Sequence, residues 1–354
     1  MDTLARTDLT ALVREQLDDP SAEIAEQRVE RLPAEFAFST IALHRVHGTA
    51  ADGRSWSFFV KSIGALRHSA VFPSLPAEIR EDVTAGYPWR VDADTYLADE
   101  PLPPGLRLPR LYRLEELGDE RAIIWMEDVA EAPGAWDAAR YAEAARRLGA
   151  LAALRPAPAG NTGLRYFCER VAPFGLHRML LDAELWKHPL LAPHVDEDFH
   201  TGVREVIART PALLEAMDRL PHSRVHGDAS PQNLLVPADG SASFVAIDWS
   251  WGSPGAAGFD LGQLLAGHAH SGLLPVEELP AMTETVLAAY GETCPADPDA
   301  IRLGALGGLV LRSLPTAVPM FRLDEPPAEE LADHVAMRVA LARHLVGVGL
   351  ALAG

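Results

Sequence analysis

The chain predicts an α+β fold in two parts, a small strand-rich one followed by a larger helical one. Three features say so. Apolar residues alternate with strand period through much of the first third, helical spacing takes over after Pro133, and 48% of the 354 residues are hydrophobic. At roughly 150 residues per domain the length corresponds to about two domains. The apolar content is enough to bury a full core, which argues against disorder as the overall state. The change of character places the junction near Glu127 to Ala132. No internal repeat with a period of about 20–50 residues is visible, which argues against solenoids and propellers.

Gln27 to Leu32 is the first expected strand. Ile41 to Val46 and Ser55 to Lys61 follow as a long-looped antiparallel hairpin, across the turn-rich stretch His47-Gly-Thr-Ala-Ala-Asp-Gly53. A helix is expected over Trp89 to Leu97, ended by Pro101, Pro103 and Pro104. Ala122 to Met126, with its isoleucines, reads as a buried strand. Asp137 to Leu154 is rich in Ala, Arg and Leu at helical spacing, and Asp137 suits the helix N-terminus. Helical patterns dominate from there on, except over His222 to Asp248, where short apolar strands return. The apolar patch around Leu303 to Phe321 reads as helical core rather than a partner surface.

Composition removes several function classes. Lys+Arg number 31 against 50 Asp+Glu, a formal net charge of −19. That balance opposes a phosphate-tracking surface, so no nucleic-acid partner is expected. It permits a cationic substrate but cannot locate a site. Two cysteines, Cys168 and Cys294, cannot make a disulfide framework and fit a reducing compartment. The opening Met1-Asp-Thr-Leu-Ala-Arg6 has no basic region followed by an apolar stretch. The apolar stretches near Leu303 to Leu311 and Leu345 to Ala353 fall well short of the ~20 residues that span a bilayer. A soluble, cytoplasmic protein without a membrane partner is therefore expected. No Gly-x-Ser-x-Gly elbow, Cys-x-x-Cys pair or His-Glu-x-x-His occurs, which removes the common hydrolase and zinc readings. His268 and His270 are two apart and would lie on different sides of a helix, which is poor spacing for a metal pair.

The stretch Arg224-Val-His226-Gly227-Asp228-Ala-Ser-Pro-Gln-Asn233-Leu-Leu-Val236 carries the chemistry. It joins a His-Gly-Asp, an Asn five residues after the Asp, and a short apolar strand. Pro237-Ala-Asp-Gly-Ser241 supplies a turn, and Phe244-Val-Ala-Ile-Asp248-Trp249 a second strand ending in an aspartate. A hairpin between these strands would bring Asn233 and Asp248 to one end. Two oxygen donors there suit a hard cation such as Mg²⁺, which binds through few protein groups plus substrate phosphates. Asp228, on the loop before the hairpin, would accept a proton from a hydroxyl nucleophile. A lone Asp or Asn would be an ordinary loop cap. The combination matches phosphoryl transfer, where a loop Asp orients the nucleophile while an Asn and a later Asp hold the metal.

This stretch resembles the aminoglycoside phosphotransferase family, also called the phosphotransferase enzyme family. Members are small-molecule kinases with a protein-kinase-like bilobal fold. The matching positions here are His226 to Asn233, then Ile247-Asp248-Trp249, then Gly255, then Asp260-Leu261. The resemblance covers about Gln27 to Leu265. It implies a nucleotide-binding lobe over residues 1–128, ending at a hinge, and a helical lobe over 129–354 with the catalytic loop, metal site and acceptor pocket. It also implies Asp228 as catalytic base, Asn233 and Asp248 as metal ligands, and Asp260 as an acid that braces the catalytic loop. His226 would orient that loop.

The first lobe fits the same template. Of the 31 Lys+Arg only Lys61 and Lys187 are lysines, and Lys61 ends Phe58-Phe59-Val60-Lys61. A compact ammonium contacting nucleotide phosphates is a reason to use lysine where the chain otherwise chooses arginine. The family pairs that lysine with an acid on the following helix. Tyr87-Pro-Trp-Arg-Val-Asp92 resembles the family's Trp-Arg-Arg-Glu, which puts Asp92 in the glutamate's place, one methylene shorter. Ile123-Ile124-Trp125-Met126-Glu127-Asp128-Val129 looks like the family's hinge. By that match Met126 lies beside the adenine, while the Glu127 C=O and Val129 N–H bond its edge. The phosphate turn departs from the protein-kinase pattern: Ala34-Glu-Phe-Ala-Phe-Ser39-Thr40 has no glycine. Backbone N–H groups and the Ser39 hydroxyl are the candidates for cradling phosphate there.

The implied reaction is Mg²⁺-dependent transfer of the γ-phosphoryl group of ATP or GTP to a hydroxyl of a small acceptor. The family spans antibiotic-inactivating resistance enzymes, aminoglycosides among their substrates, and metabolic kinases for amino alcohols and sugars. The acceptor pocket is expected in the helical lobe after Arg155, where Asp182, Glu184, Asp196, Glu197 and Asp198 supply acids and Trp186, Trp249 and Trp251 aromatics. A regulatory pseudokinase is the alternative of a different class. The missing glycines and the short Asp92 favour it; the full set Lys61, Asp228, Asn233 and Asp248 opposes it.

Overall fold

A computed structural model describes residues 8–33, 38–75, 77–98, 100–160, 162–326 and 328–352. The chain divides into two compact units, Met1–Asp99 with Leu108–Ala130, and Glu100–Arg107 with Glu131–Gly354.

The first unit is a five-stranded antiparallel sheet with helical cover. Helix α1 (Leu9–Gln16) starts where the Asp8 carboxylate accepts the Ala11 N–H at 3.0 Å. Strands β1 (Ile24–Leu32), β2 (Thr40–Ala50) and β3 (Ser55–Gly64) follow. Then come short helices α2 (Arg80–Thr84) and α3 (Val91–Leu97). After β4 (Leu106–Arg107), which belongs to the second unit, β5 (Leu111–Gly118) and β6 (Arg121–Glu127) complete the sheet in the order β1-β2-β3-β6-β5. Alternation sorts the two faces of β3. Trp56, Phe58 and Val60 join Leu12 and Val13 of α1, Val46, Ile123 and Trp125 in one buried cluster. Ser57, Phe59 and Lys61 therefore point to the other face.

One expectation is corrected. The stretch from His47 to Ala50 is the end of β2, and the connection to β3 is only the turn between Ala50 and Ser55, tied by Ala50 N–H to Arg54 O at 2.8 Å. Gly48 makes the extended ladder possible. A Cβ there would fall onto the Glu26 carbonyl and within 2.7 Å of the Trp56 ring, so a glycine that reads as a turn residue serves close strand packing. Helix α1 and strand β5 were not expected.

The second unit begins with α4 (Ala138–Leu154), whose N-cap Asp137 accepts the Arg140 N–H at 2.9 Å as its sequence position predicts. Helix α5 (Thr162–Tyr166) runs into a π-helical turn over Phe167–Val171, closed by Ala172 N–H to Phe167 O at 2.8 Å. Helices α6 (Leu176–Leu181) and α7 (Glu197–Asp218) lead to two small sheets. Strand β7 (His222–Val225) pairs with β10 (Ser253–Ala256), and β8 (Leu234–Leu235) with β9 (Phe244–Ala246), which also takes β4 alongside. Helices α8 (Phe259–Ser271), α9 (Leu279–Gly291), α10 (Pro298–Ala317) and α11 (Glu329–Ala351) finish the chain. By length and composition the helical stretch Pro298–Arg322 could cross a membrane, but 78% of its apolar window is buried inside the fold, as a core helix is.

Candidate active site

Strand β7 delivers the chain to His226, and β10 returns it beside β7 before α8 begins. That return brings Asp260, in the first turn of α8, under the loop. Its two oxygens accept the His226 and Gly227 N–H groups, each at 2.9 Å. The carboxyl is buried, and burial pushes its pKa up to about 6 against the lowering effect of those two bonds. Gly227 has φ +85°, and a Cβ there would fall onto the Trp251 carbonyl oxygen. Only glycine serves at this tight crossing.

His226 ties the loop to the second strand. Its Nδ1 accepts the Asp228 N–H at 3.3 Å and its Nε2 lies 3.0 Å from the Ile247 carbonyl. An acceptor at Nδ1 and a donor at Nε2 define the Nε2–H tautomer, and the Trp249 ring lies tilted at 34° to the imidazole with centroids 4.3 Å apart. The Asn233 Nδ2 donates to the Asp228 carbonyl at 2.8 Å and its Oδ2 at 3.2 Å. Strand β8 pairs with β9 as expected, Leu234 opposite Ala246, and the Ile247 N–H donates to the Asn233 carbonyl at 3.0 Å. Asn233 and Asp248 thus share one end of the hairpin. Asp248 sits at φ +56°, a left-handed conformation costly for a non-glycine residue and held by its surroundings. Asp228, Asn233 and Asp248 are all half-buried. Among the described residues no group of three His, Cys, Asp or Glu side chains could hold a metal, so any ion here would rest on a mixed Asn and Asp set.

In the first unit the Lys61 Nζ lies 2.7 Å from an Asp92 oxygen, with side-chain exposures of 5% and 0%. The shorter acid reaches the lysine because α3 lies close under the sheet. Ser39 is 2% exposed, and its carbonyl accepts the Gly64 N–H at 2.8 Å. Residues 34–37 of the same turn lie outside the described residues. Met126 is buried opposite Phe59 in the β3–β6 ladder. Glu127 is pinned to Arg110, which receives the Glu127 N–H and donates its own to the carboxylate, each at 2.9 Å. Val129 is half-buried just beyond.

Two residues here were not singled out from the sequence. Asp128 accepts the Arg45 Nε at 2.8 Å and also the Ser57 hydroxyl, so the strand end is clamped to β2 and β3. It borders a hollow of about 530 Å³ that Arg45, His47 and Ser57 also line. Phe59, two residues before Lys61, shares its face, and strand period alone could have found it. Of the acceptor-pocket acids, Asp196 caps α7, and Asp182, Glu184, Glu197 and Asp198 are exposed. Trp186 packs on Phe199 and Trp249 on His226; Trp251 alone of the three tryptophans is half-buried.

Residues 63–303 match the phosphotransferase enzyme family. The chain belongs to that family. This phosphotransferase is a small-molecule kinase whose specific acceptor the match leaves open. A search of curated proteins found no match. Among solved structures it resembles the amicoumacin kinase hAmiN, solved with AMP-PNP, Ca²⁺ and Ami, at TM-score 0.51 and 12% identity over 97% of this chain and 95% of that one. It also resembles an aminoglycoside phosphotransferase from Alicyclobacillus acidocaldarius, at TM-score 0.50 and 16% identity over 95% and 92%. At such identities the likeness shows the kinase-like fold alone, which agrees with the α+β class expected.

Proposed function

We propose that this phosphotransferase moves the γ-phosphoryl group of ATP or GTP to a hydroxyl of a small acceptor, with Asp228 as catalytic base. The observation that supports this reading most is the hydrogen-bonded set running from Asp260 through His226 and Gly227 to Asp228 and on to Asn233. Such a network fixes a loop carboxylate that would orient the attacking hydroxyl and take its proton late in transfer. Lys61, oriented by Asp92, would contact the phosphates. Backbone N–H groups near Ser39 would add to that contact, since its side chain is buried. The Glu127 C=O and Val129 N–H would bond the base edge beside Met126, and Phe59 offers the base a flat face.

The residues present fit a magnesium ion. The Asn233 Nδ2 is engaged by Asp228, which leaves its carbonyl oxygen as the metal donor, and Asp248 adds a carboxylate at the same hairpin end. Both are hard oxygen donors. When bound, the ion supplies charge that offsets the bridging phosphate oxygens. The structural neighbour solved with AMP-PNP and Ca²⁺ supports a nucleoside triphosphate and a divalent cation as the pair used here.

The test is Mg²⁺-dependent ATP and GTP consumption with aminoglycosides, macrolides, nucleoside antibiotics, amino alcohols and sugars as acceptors. Acceptor-stimulated turnover is expected, and Asp228→Asn should melt normally yet lose ~10²-fold or more in kcat, the low end for removal of a general base. Near-normal turnover by that variant overturns the assignment.

A further inference from the structure

The five-stranded sheet of the first unit ends differently at its two edges. Strand β5, one edge, is irregular. Its pairing with β6 slips between Leu111 and Arg113 and again between Glu116 and Gly118, and Glu116 is held by Arg90 at 2.5 Å. Slips of this kind blunt an edge against further pairing. Strand β1, the other edge, pairs with β2 in unbroken register from Glu26 to Leu32, after a single slip beside Ile24. Every residue from Ala25 to Arg31 is exposed, and Val29, at the centre of the regular run, is a 52% exposed apolar side chain. Among the described residues no strand lies on the outer side of β1. Alternate N–H and C=O groups of an antiparallel edge point outwards, so this run is a template for another strand. Val29 lies opposite Val46, on the sheet face that α1 covers. Gln27 and Arg31 share that face, and Glu26, Arg28 and Glu30 lie on the other.

We propose that the occupant is a second copy of this chain, with β1 pairing antiparallel to β1 so that two five-stranded sheets become one of ten strands. Symmetry restricts the register. A two-fold axis relating the two strands stands perpendicular to the sheet, and opposed residues share a face. Because side chains alternate, the axis then passes at a residue, which opposes itself. An axis at Arg28, Glu30 or Arg31 sets like charges face to face, which destabilises a pair of strands. An axis at Gln27 carries the pairing into the slip beside Ile24 and leaves Arg31 and Leu32 beyond the partner strand. An axis at Val29 meets every condition. Val29 packs on Val29, Arg28 faces Glu30 twice, Gln27 faces Arg31 twice, and the regular run Glu26 to Leu32 opposes itself from end to end. Glu30, 3.6 Å from Arg45 of its own chain, then stands between two arginines. A seven-residue pairing is small for an interface, so the dimer is weak and depends on concentration.

The test is sedimentation velocity of the full chain over a concentration series. The wild type should pass from monomer to dimer. Arg28→Glu sets acid against acid at two places, and Glu30→Arg sets arginine against arginine at the same two. Each variant alone should raise the dimer dissociation constant ~10-fold or more, since two cross-strand pairs turn from attraction to repulsion. Mixed in equal amounts, the two variants should form a heterodimer, because every opposed charge pair then joins an acid to an arginine. That recovery also shows that neither variant lost its dimer by misfolding. A wild type that stays monomeric at every concentration, a dimer indifferent to both charge reversals, or variants that fail to combine on mixing each overturn the proposal. The outcome is independent of the phosphoryl-transfer chemistry, which ATP consumption reads separately.

Discussion

Asp260 grips the catalytic loop through two backbone N–H groups while burial pushes its own pKa up to about 6. Two pH effects of opposite direction result. On protonation one oxygen stops accepting, the loop loosens, and kcat should fall on the acid side with a midpoint near pH 6; Asp260→Asn should remove that limb while lowering the plateau. Stability runs the other way. The folded pKa is above the ordinary 3.8, so the folded state holds the proton more tightly. The stabilisation is full below 3.8 and is lost as pH rises through 6, which urea denaturation at pH 4.5 and 7.5 would register as a smaller difference in the Asn variant. The Lys61–Asp92 pair is buried on both sides. Asp92→Asn removes a buried charge partner of the Lys61 ammonium and should cost about 3–5 kcal/mol of stability, whereas Lys61→Arg should leave the fold nearer intact but lose activity, its broad fork being too large for the same space.

At the level of elements, legibility followed face burial. Strands β2 and β3 were visible because one face of each is apolar, and helix α4 because its cap and spacing agree. Strand β5 was missed because Leu111 to Gly118 has no fully buried position and alternates weakly. Helix α1 was missed because two turns give too few repeats to show a period. The β8–β9 hairpin was legible because its turn and both strands are contiguous in the chain. Gly227 tests how much that local geometry matters. Gly227→Ala meets both a φ of +85° and the Trp251 carbonyl, so it should cost more than the about 1–3 kcal/mol of backbone strain alone. A melting scan paired with turnover would show both falling together.

For the whole molecule, ligand binding should appear as stability. Nucleotide with Mg²⁺ at 100 times its Kd adds about 2.7 kcal/mol to the folded state. Asp228→Asn should keep that gain, because the proposed base would touch the acceptor rather than the nucleotide, while Lys61→Met should lose much of it. An equal loss in both variants would contradict the division of roles.

By itself the sequence determined the α+β class, the stretch from His226 to Asp248 that is proposed here as catalytic, and the unusual lysine at 61, because each is written in periodicity or in residues a few positions apart. Tertiary structure decided the rest. It brought Asp92 within 2.7 Å of Lys61, Asp260 onto the amides of His226 and Gly227, and Arg312 onto Trp251. Those contacts join residues 31 to 61 positions apart, about as far as from Lys61 to Asp92 or from Trp251 to Arg312. No local pattern encodes such a meeting; it exists only once burial and strand pairing have folded the chain back on itself.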